Sequence, residues 1–183
     1  YEVWETENAE YSKRLIRKAS LAQGIAAKDK PLVLHSDNGS PMKAATFLAT
    51  LEKLGVQSSF SRPRVSNDNP YSESLFKTMK YRPVYPNKGF KDLNEAREWV
   101  AEFVRWYNHQ HLHSGIKLVT PYQRHYGLDI EIMKKRTETY LKAKAEHPER
   151  WSGDIRDWTQ PEYVTLNPMD TAEVEKYLNQ QSS

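Results

Sequence analysis

The sequence predicts an α/β fold in which helices cover a sheet. A short apolar segment at 31–35 is followed by a helical apolar stripe over 44–54, and a second strand-like segment at 56–61 follows directly. A strand, helix, strand order indicates an α/β layer rather than a helical bundle. The length of 183 residues, 38% of them hydrophobic, allows one main domain with a core and leaves room for a tail or small subdomain.

The elements before this unit are a strand and a helix. Residues 1–5 have a strand-like composition. Asn8 can cap a helix that runs to about Gln23, and Gly24 is a typical stop signal. The predicted buried face of this helix consists of Tyr11, Leu15, Ala19 and Ala22.

The central unit begins with the apolar segment 31–35, which is typical of a buried strand and ends in the turn sequence Ser36-Asp37-Asn38-Gly39. Ser40 and Pro41 can cap and open a helix that ends at Gly55. The stripe of this helix consists of Ala44, Phe47, Leu48, Leu51 and Leu54. The second strand is predicted over 56–61.

Two further helices follow a polar, irregular segment at 62–69. Asn69 and Pro70 open a helix to about Lys80. Asp92 and Glu95 form a capping-box pattern before a long amphipathic helix. Its stripe consists of Leu93, Ala96, Trp99, Val100, Phe103, Val104 and Tyr107. Beyond Gly127 a charged helix is predicted near 130–145, followed by a stretch with no clear period.

Composition excludes several classes of function. The chain contains no cysteine, which rules out disulfides, zinc-thiolate sites and thiol catalysis within it. No apolar run approaches the roughly 20 residues that span a bilayer, and no signal-peptide pattern opens the sequence. We therefore expect a cytoplasmic protein that does not enter membranes.

Charge is distributed unevenly along the chain. Residues 60–91 carry seven bases and two acids, a local net of +5, whereas residues 137–183 carry nine acids and five bases. Clustered positive charge favours a polyanionic partner such as a nucleic acid. A solvated basic surface would produce the same pattern.

Asp37 and Glu73 are the candidate catalytic and metal-binding residues. Asp37 follows a buried strand, where α/β folds place reactive groups, although a turn-forming aspartate explains the local pattern as well. Glu73 lies in the first turn of its helix, where the dipole stabilises any carboxylate. The two acids are separated by 35 residues that hold a helix, a strand and a helix start in order.

This pattern resembles the second and third acids of the aspartate, aspartate, glutamate triad of the retroviral integrase superfamily, and most of all bacterial insertion-sequence transposases of the integrase-core type. His35-Ser36-Asp37-Asn38-Gly39-Ser40 is similar to the second-aspartate motif of the family. Ser66-Asn67-Asp68-Asn69-Pro70 with Glu73 and Ser74 is similar to its glutamate motif, and Lys80 matches its following basic residue. Trp106-Tyr107-Asn108 with His113 and Thr120-Pro121 is similar to its closing segment.

The resemblance implies a ribonuclease-H-like integrase core over 1–126 and leaves 127–183 as a charged, partly helical extension of unknown role. The family's first aspartate lies on an earlier strand than any in this sequence. We therefore expect an amino-terminally truncated core that lacks one catalytic acid and is inactive alone. The resemblance also implies a homo-oligomer associated with the bacterial nucleoid.

The implied chemistry is metal-dependent cleavage and joining of DNA strands in transposition. Two Mg²⁺ or Mn²⁺ ions held by clustered carboxylates would stabilise the attacking and leaving oxygens. Asp37 and Glu73 would be ligands, and the missing aspartate would bridge the ions. Double-stranded DNA, the transposon ends and target, is the expected partner. The expected phosphate contacts are Lys77, Lys80, Arg62 and Arg64.

Two other functions remain open at this point. A non-catalytic module could bind DNA or associate with a full-length transposase and regulate it, and a nuclease of the same fold would hydrolyse DNA rather than join it. A metal site at His109, His111 and His113 is not favoured, because their alternate spacing does not place all three on one helical face.

Overall fold

The structure is a computed structural model that describes residues 1–25, 30–63, 65, 68–161 and 164. The described chain forms two compact units, 1–97 and 98–164. The helices are α1 (Ala9–Ala22), α2 (Ser40–Lys43), α3 (Ala45–Lys53), α4 (Pro70–Lys80), α5 (Leu93–His109), α6 (Pro121–His125) and α7 (Asp129–Glu146), and the strands are β1 (Leu32–Ser36) and β2 (Val56–Phe60). None of these helices combines the length and apolarity needed to cross a bilayer.

Strands β1 and β2 pair in parallel and confirm the α/β prediction. Leu32 lies opposite Val56, and the register runs on to Ser36 opposite Phe60. Parallel neighbours require a crossover connection, which α2 and α3 supply. The single helix predicted here is wrong in detail, because the extended backbone of Ala44 (ψ 130°) divides it and Gly39 takes the N-cap position.

The core of the first unit lies between the strands and the helices. Phe47, Leu51 and Val56 are buried there. Their partly buried neighbours are Ile16, Ile25, Leu34, Met42, Ala44, Leu48 and Leu54. The prediction that the first strand is buried is wrong for its start. Leu32 is 37% exposed and Val33 53% exposed, because the described sheet has only two strands to cover them.

Helix α1 is capped as the sequence predicts, since the Asn8 side chain accepts a hydrogen bond from the Glu10 amide at 2.8 Å. Its predicted buried face is wrong by one position. Leu15 is exposed, whereas Ser20 is buried and Ile16 packs against the core. Tertiary packing therefore selects a face that hydrophobicity alone does not mark.

Residues 1–5 form no strand, contrary to the prediction. The Trp4 ring stacks on Tyr11 with centroids 4.2 Å apart, and the Arg14 and Arg97 guanidinium groups lie within 5.3 Å of the same ring. The Val3 carbonyl accepts a hydrogen bond from Arg97 Nε. These side-chain contacts hold the segment against α1 and the start of α5 instead of a sheet.

Helix α5 begins as predicted at a cap formed by Asp92, whose carboxylate accepts hydrogen bonds from the Asn94 and Glu95 amides. The Glu95 carboxylate accepts from the Lys91 amide rather than from Asp92, so the predicted capping box is shifted by one residue. The predicted apolar stripe of α5 is confirmed at Phe103, which is buried.

The second unit has its own core of Val119, Met133 and Trp158. The charged helix predicted near 130–145 is confirmed as α7, and Met133 on this helix packs against Val119. Residues on both sides of position 127 therefore share one core. The predicted division into domains 1–126 and 127–183 stays a prediction.

A strained turn precedes α6 in the second unit. Lys117 and Leu118 adopt positive φ values of 61° and 58°, a conformation that costs non-glycine residues energy. Arg136 donates hydrogen bonds to both of their carbonyl oxygens, at 2.7 and 2.9 Å. This guanidinium fork stabilises the turn.

Candidate active site

A cleft of about 270 Å³ lies where β1 and β2 end and α4 begins. Asp37 and Glu73 both line it. The remaining lining residues are Asn38, Ser61, Val65, Asn69, Ser72 and Phe76. The structure therefore brings together the two carboxylates that the sequence singles out, although 35 residues separate them.

Asp37 lies directly after the last residue of β1 and is exposed. Its Oδ1 accepts a hydrogen bond from the Gly39 amide at 3.0 Å, which turns the chain into α2. A β-carbon at position 39 would lie 3.0 Å from this oxygen, so glycine permits the tight turn. Asn38 Nδ2 donates to the Ser61 carbonyl at 2.7 Å and joins the ends of the two strands.

Glu73 lies in the first turn of α4, beside the partial positive charge of the helix start. Pro70 occupies the first turn, where its missing N–H costs no helical hydrogen bond. The Asn69 side chain accepts a hydrogen bond from the Ser72 hydroxyl and orders the same turn. Glu73 is exposed, so its carboxylate is open to a ligand.

His35 connects the strands with the chain that enters α4. Its Nε2 lies 2.8 Å from the Asp68 carbonyl oxygen, and its Nδ1 lies 2.9 Å from Ser59 Oγ. A carbonyl only accepts, so Nε2 carries the proton, and in the neutral ring Nδ1 accepts from the serine hydroxyl. The imidazole thus joins β1, β2 and the residues before α4.

Arg62 and Asp68 close the irregular segment between β2 and α4. Asp68 is 4% exposed, and its carboxylate accepts from the Arg62 amide, Nε and Nη2 at 2.8 to 2.9 Å. This two-pronged contact raises the pKa of the Arg62 guanidinium. Arg62 therefore binds Asp68. The sequence analysis assigns Arg62 to DNA and does not include this contact.

The chain is similar to integrase cores and to transposases. Residues 54–121 match the family model described as integrase core domain. A transposase for insertion sequence element IS904 of Lactococcus lactis subsp. lactis (strain IL1403) is 33% identical over 110 residues, which cover 59% of this chain and 43% of that protein. InsK of insertion sequence element IS150 of Escherichia coli (strain K12) is 30% identical over 89 residues, covering 49% and 31%.

Residues 54–121 are thus similar to an integrase core, and parts of the chain are similar to insertion-sequence transposases. A further relative, from Lactococcus lactis subsp. lactis, is 29% identical over 133 residues, covers 70% of this chain and 43% of its own length, and is named ATP-dependent protease. The chain spans less than half the length of these relatives. The matched integrase-core region contains Glu73 and begins after Asp37.

The predicted DNA-contacting residues fall into three groups. Lys77 and Lys80 lie exposed on α4, one and two turns after Glu73. Arg62 is paired with Asp68. Arg64 lies outside the described residues, as do Ser66, Asn67 and the tail beyond 164.

The residues of the cleft fit a single hard divalent cation. Carboxylate oxygens are preferred ligands of Mg²⁺ and Mn²⁺, and Mg²⁺ sites commonly use one or two carboxylates with waters completing the shell. Oδ1 of Asp37 is engaged by Gly39, which leaves its second oxygen for a metal. Within the described ranges no third histidine or acid joins the two to form a larger cluster.

Sequence reasoning missed the contacts that hold this site together. His35 and Asp68 were noted as parts of motifs, and Phe76 was not singled out. The Thr120 and Gln123 capping box that opens α6 has a recognisable Thr-x-x-Gln signature and could have been found. No local signal marks the bond between His35 and Asp68.

Proposed function

We propose that this chain carries two ligands of a metal-dependent DNA transposase active site, Asp37 and Glu73, on a ribonuclease-H-like integrase core. The observation that carries the proposal is the convergence of both exposed carboxylates on one cleft in an integrase-core chain. The proposed reaction is DNA strand cleavage followed by strand transfer, in a homo-oligomer bound to double-stranded DNA.

The residues of the cleft have defined tasks in this proposal. The carboxylates of Asp37, in the turn after β1, and Glu73, on α4, would hold a divalent cation between them. When bound, the cation supplies charge stabilisation to the oxygens of a scissile phosphodiester. The Asn38 bond to the Ser61 carbonyl holds the strand ends together, so that Asp37 keeps its place during binding. A two-metal site would require a further carboxylate beyond these two.

Lys77 and Lys80 are proposed to position DNA. Both side chains are exposed on α4, and neither forms an ion pair among the described residues. Their ammonium groups can contact phosphates on either side of the reacting one, which fixes the register of DNA without reading its sequence. Arg62 would contribute only if DNA drew it away from Asp68.

The first test measures Mn²⁺ binding to the chain by electron paramagnetic resonance, and nicking and joining of labelled oligonucleotides with Mg²⁺ or Mn²⁺. Asp37→Asn and Glu73→Gln are each expected to remove high-affinity Mn²⁺ binding and any joining, because each removes one of two charged ligands. Glu52→Gln is the matched control, since it neutralises an exposed carboxylate on α3 outside the cleft.

Mn²⁺ binding that is equal in the unmodified chain and in both variants would overturn the proposed site. If binding depends on both carboxylates and DNA is bound but not joined, the metal site stands, and the chain is either a core that lacks one catalytic acid or a regulatory DNA-binding module. Hydrolysis products without joined products would identify a nuclease.

A further inference from the structure

The ring of His35 lies at the junction of the three segments that build the cleft. It is carried by β1, two residues before Asp37, and it contacts Ser59 on β2 and the carbonyl of Asp68. Asp68 in turn lies two residues before the first residue of α4. One side chain therefore spans the elements that carry the two proposed metal ligands.

The acceptor of this contact is itself held firmly. Asp68 is 4% exposed, and three N–H groups of Arg62 bind its carboxylate. Charge-assisted, two-pronged contacts of this kind are short and directional. The Asp68 carbonyl is thus held in place, and the hydrogen bond that His35 Nε2 donates to it positions β1 relative to Asp68.

Helix α4 has little apolar packing of its own to hold it in place. It contains no buried residue, and Leu75 and Phe76 are 37% and 55% exposed. Polar contacts at its amino end must therefore supply much of the restraint on the direction of Glu73. Ser61, which lines the cleft, also approaches His35 Nε2 with its Oγ at 3.3 Å.

We propose that His35 is a positioning residue that sets the separation of the Asp37 and Glu73 carboxylates, acting through the Asp68 carbonyl. The inference rests on the proposed function, because it assigns a role within the same metal site. His35 contacts neither metal nor DNA. It donates a hydrogen bond from Nε2 to the Asp68 carbonyl, and Nδ1 lies within hydrogen-bond distance of Ser59 Oγ.

The test compares His35→Gln with His35→Leu. Glutamine retains an N–H donor at a reach similar to that of Nε2, whereas leucine has a comparable volume and no donor. Groups that orient metal ligands change affinity by roughly 10–100-fold when they are removed, so His35→Leu is expected to weaken Mn²⁺ binding by about that factor. His35→Gln is expected to restore most of the affinity.

A second measurement reports geometry without metal. The chain has no cysteine, so a spin-label pair can be introduced at the exposed positions Gln57 on β2 and Ser74 on α4. The distance distribution between the labels is expected to be narrow in the unmodified chain and in His35→Gln, and broader in His35→Leu. Circular dichroism and the unfolding midpoint establish that each variant is folded.

The tautomer supplies a spectroscopic signature that a simple packing role does not predict. Long-range ¹H–¹⁵N NMR of the His35 ring is expected to show a proton on Nε2, which faces the Asp68 carbonyl oxygen. An Nδ1-protonated neutral ring would overturn the proposed bond. His109→Leu removes an exposed histidine of the second unit and is the matched control, with Mn²⁺ affinity unchanged.

The outcomes separate this inference from the proposed function. If Asp37→Asn and Glu73→Gln abolish Mn²⁺ binding while both His35 variants bind as the unmodified chain does, the positioning role is wrong and the metal site stands. If both His35 variants lose affinity equally with an unchanged spin-label distance, the positioning role is also wrong. Should the carboxylate variants bind Mn²⁺ normally, the metal site fails, and the spin-label distances alone decide the role of His35.

Discussion

Two arginine–aspartate pairs, one in each unit, hold a helix start in contrasting ways. In the first unit Asp68 precedes α4, and three N–H groups of Arg62 bind its carboxylate. The Arg62 side chain is 66% exposed. In the second unit Asp129 begins α7 and is fully buried, and Arg124 lies 2.9 Å away with 22% exposure. Among the described residues Asp129 Oδ1 and Arg124 Nε have no hydrogen-bond partner.

The difference shows how the same two residue types can serve a site or a core. A buried charge pair with unsatisfied atoms contributes little net stability, but breaking it leaves an uncompensated buried charge. In the first unit only the Arg62 side chain is exposed, whereas Asp68 is buried and accepts three N–H groups. We therefore expect loss of Asp129 to cost more stability than loss of Arg62, and loss of Arg62 to act mainly on the start of α4.

The largest effect is expected for Asp129→Ala. Removing the buried carboxylate leaves Arg124 without its charge partner and should lower the free energy of unfolding by about 3–5 kcal/mol. Urea unfolding followed by tryptophan fluorescence measures this, since Trp158 packs in the same unit. Glu131→Ala, an exposed acid two residues further along α7, is the control and should change stability by less than about 0.5 kcal/mol. A similarly small loss in the free energy of unfolding of Asp129→Ala and Glu131→Ala would contradict the expected difference between the two pairs.

A smaller stability change with a local signature is expected for Arg62→Ala. Because the Arg62 side chain is 66% exposed, the loss of stability should be smaller than in Asp129→Ala. Hydrogen exchange at the start of α4 should accelerate, including the Glu73 amide that bonds the Asn69 carbonyl. Arg62→Lys keeps the charge but not the planar fork and should give an intermediate exchange rate. Unchanged exchange in Arg62→Ala would show that the pair does not hold α4.

DNA binding distinguishes the paired arginine from the two lysines. Each lost phosphate contact lowers the slope of log affinity against log salt by about 0.9. Lys77→Ala and Lys80→Ala are each expected to show this drop in fluorescence anisotropy titrations at several salt concentrations. Arg62→Ala should leave the slope unchanged, because its guanidinium is engaged by Asp68. A drop of equal size in Arg62→Ala would assign it to DNA instead.

The smallest effect concerns an exposed pair in the second unit. The hydroxyl and amide of Thr159, followed by the Lys117 ammonium, hold the pKa of Asp157 well below its ordinary value of 3.8. The pKa of Asp157 is lower in the folded chain than in the unfolded chain. Its contribution to stability is therefore complete above the unfolded pKa and is lost as the pH falls through the folded pKa. Unfolding midpoints of the unmodified chain and Asp157→Asn should differ at pH 6 and converge toward pH 2. A constant difference across that range would contradict the assignment.

Local signals predicted much of the fold correctly. The Asn8 cap, the Pro70 helix start and the Gly55 stop involve residues within one helical turn, so sequence alone specifies them. The buried face of α1 and the break at Ala44 were predicted wrongly, since both depend on partners elsewhere in the chain.

The sequence by itself determined the order of β1, β2, α4 and α5, the two candidate carboxylates and the spacing between them. It did so because caps, turns and hydrophobic periods act over a few residues. Only the tertiary structure decided that Arg62 binds Asp68 and that His35 reaches a carbonyl 33 residues away. Such contacts cannot be predicted from neighbouring residues in the sequence, because their free energy depends on two segments that meet only when the sheet and α4 are assembled.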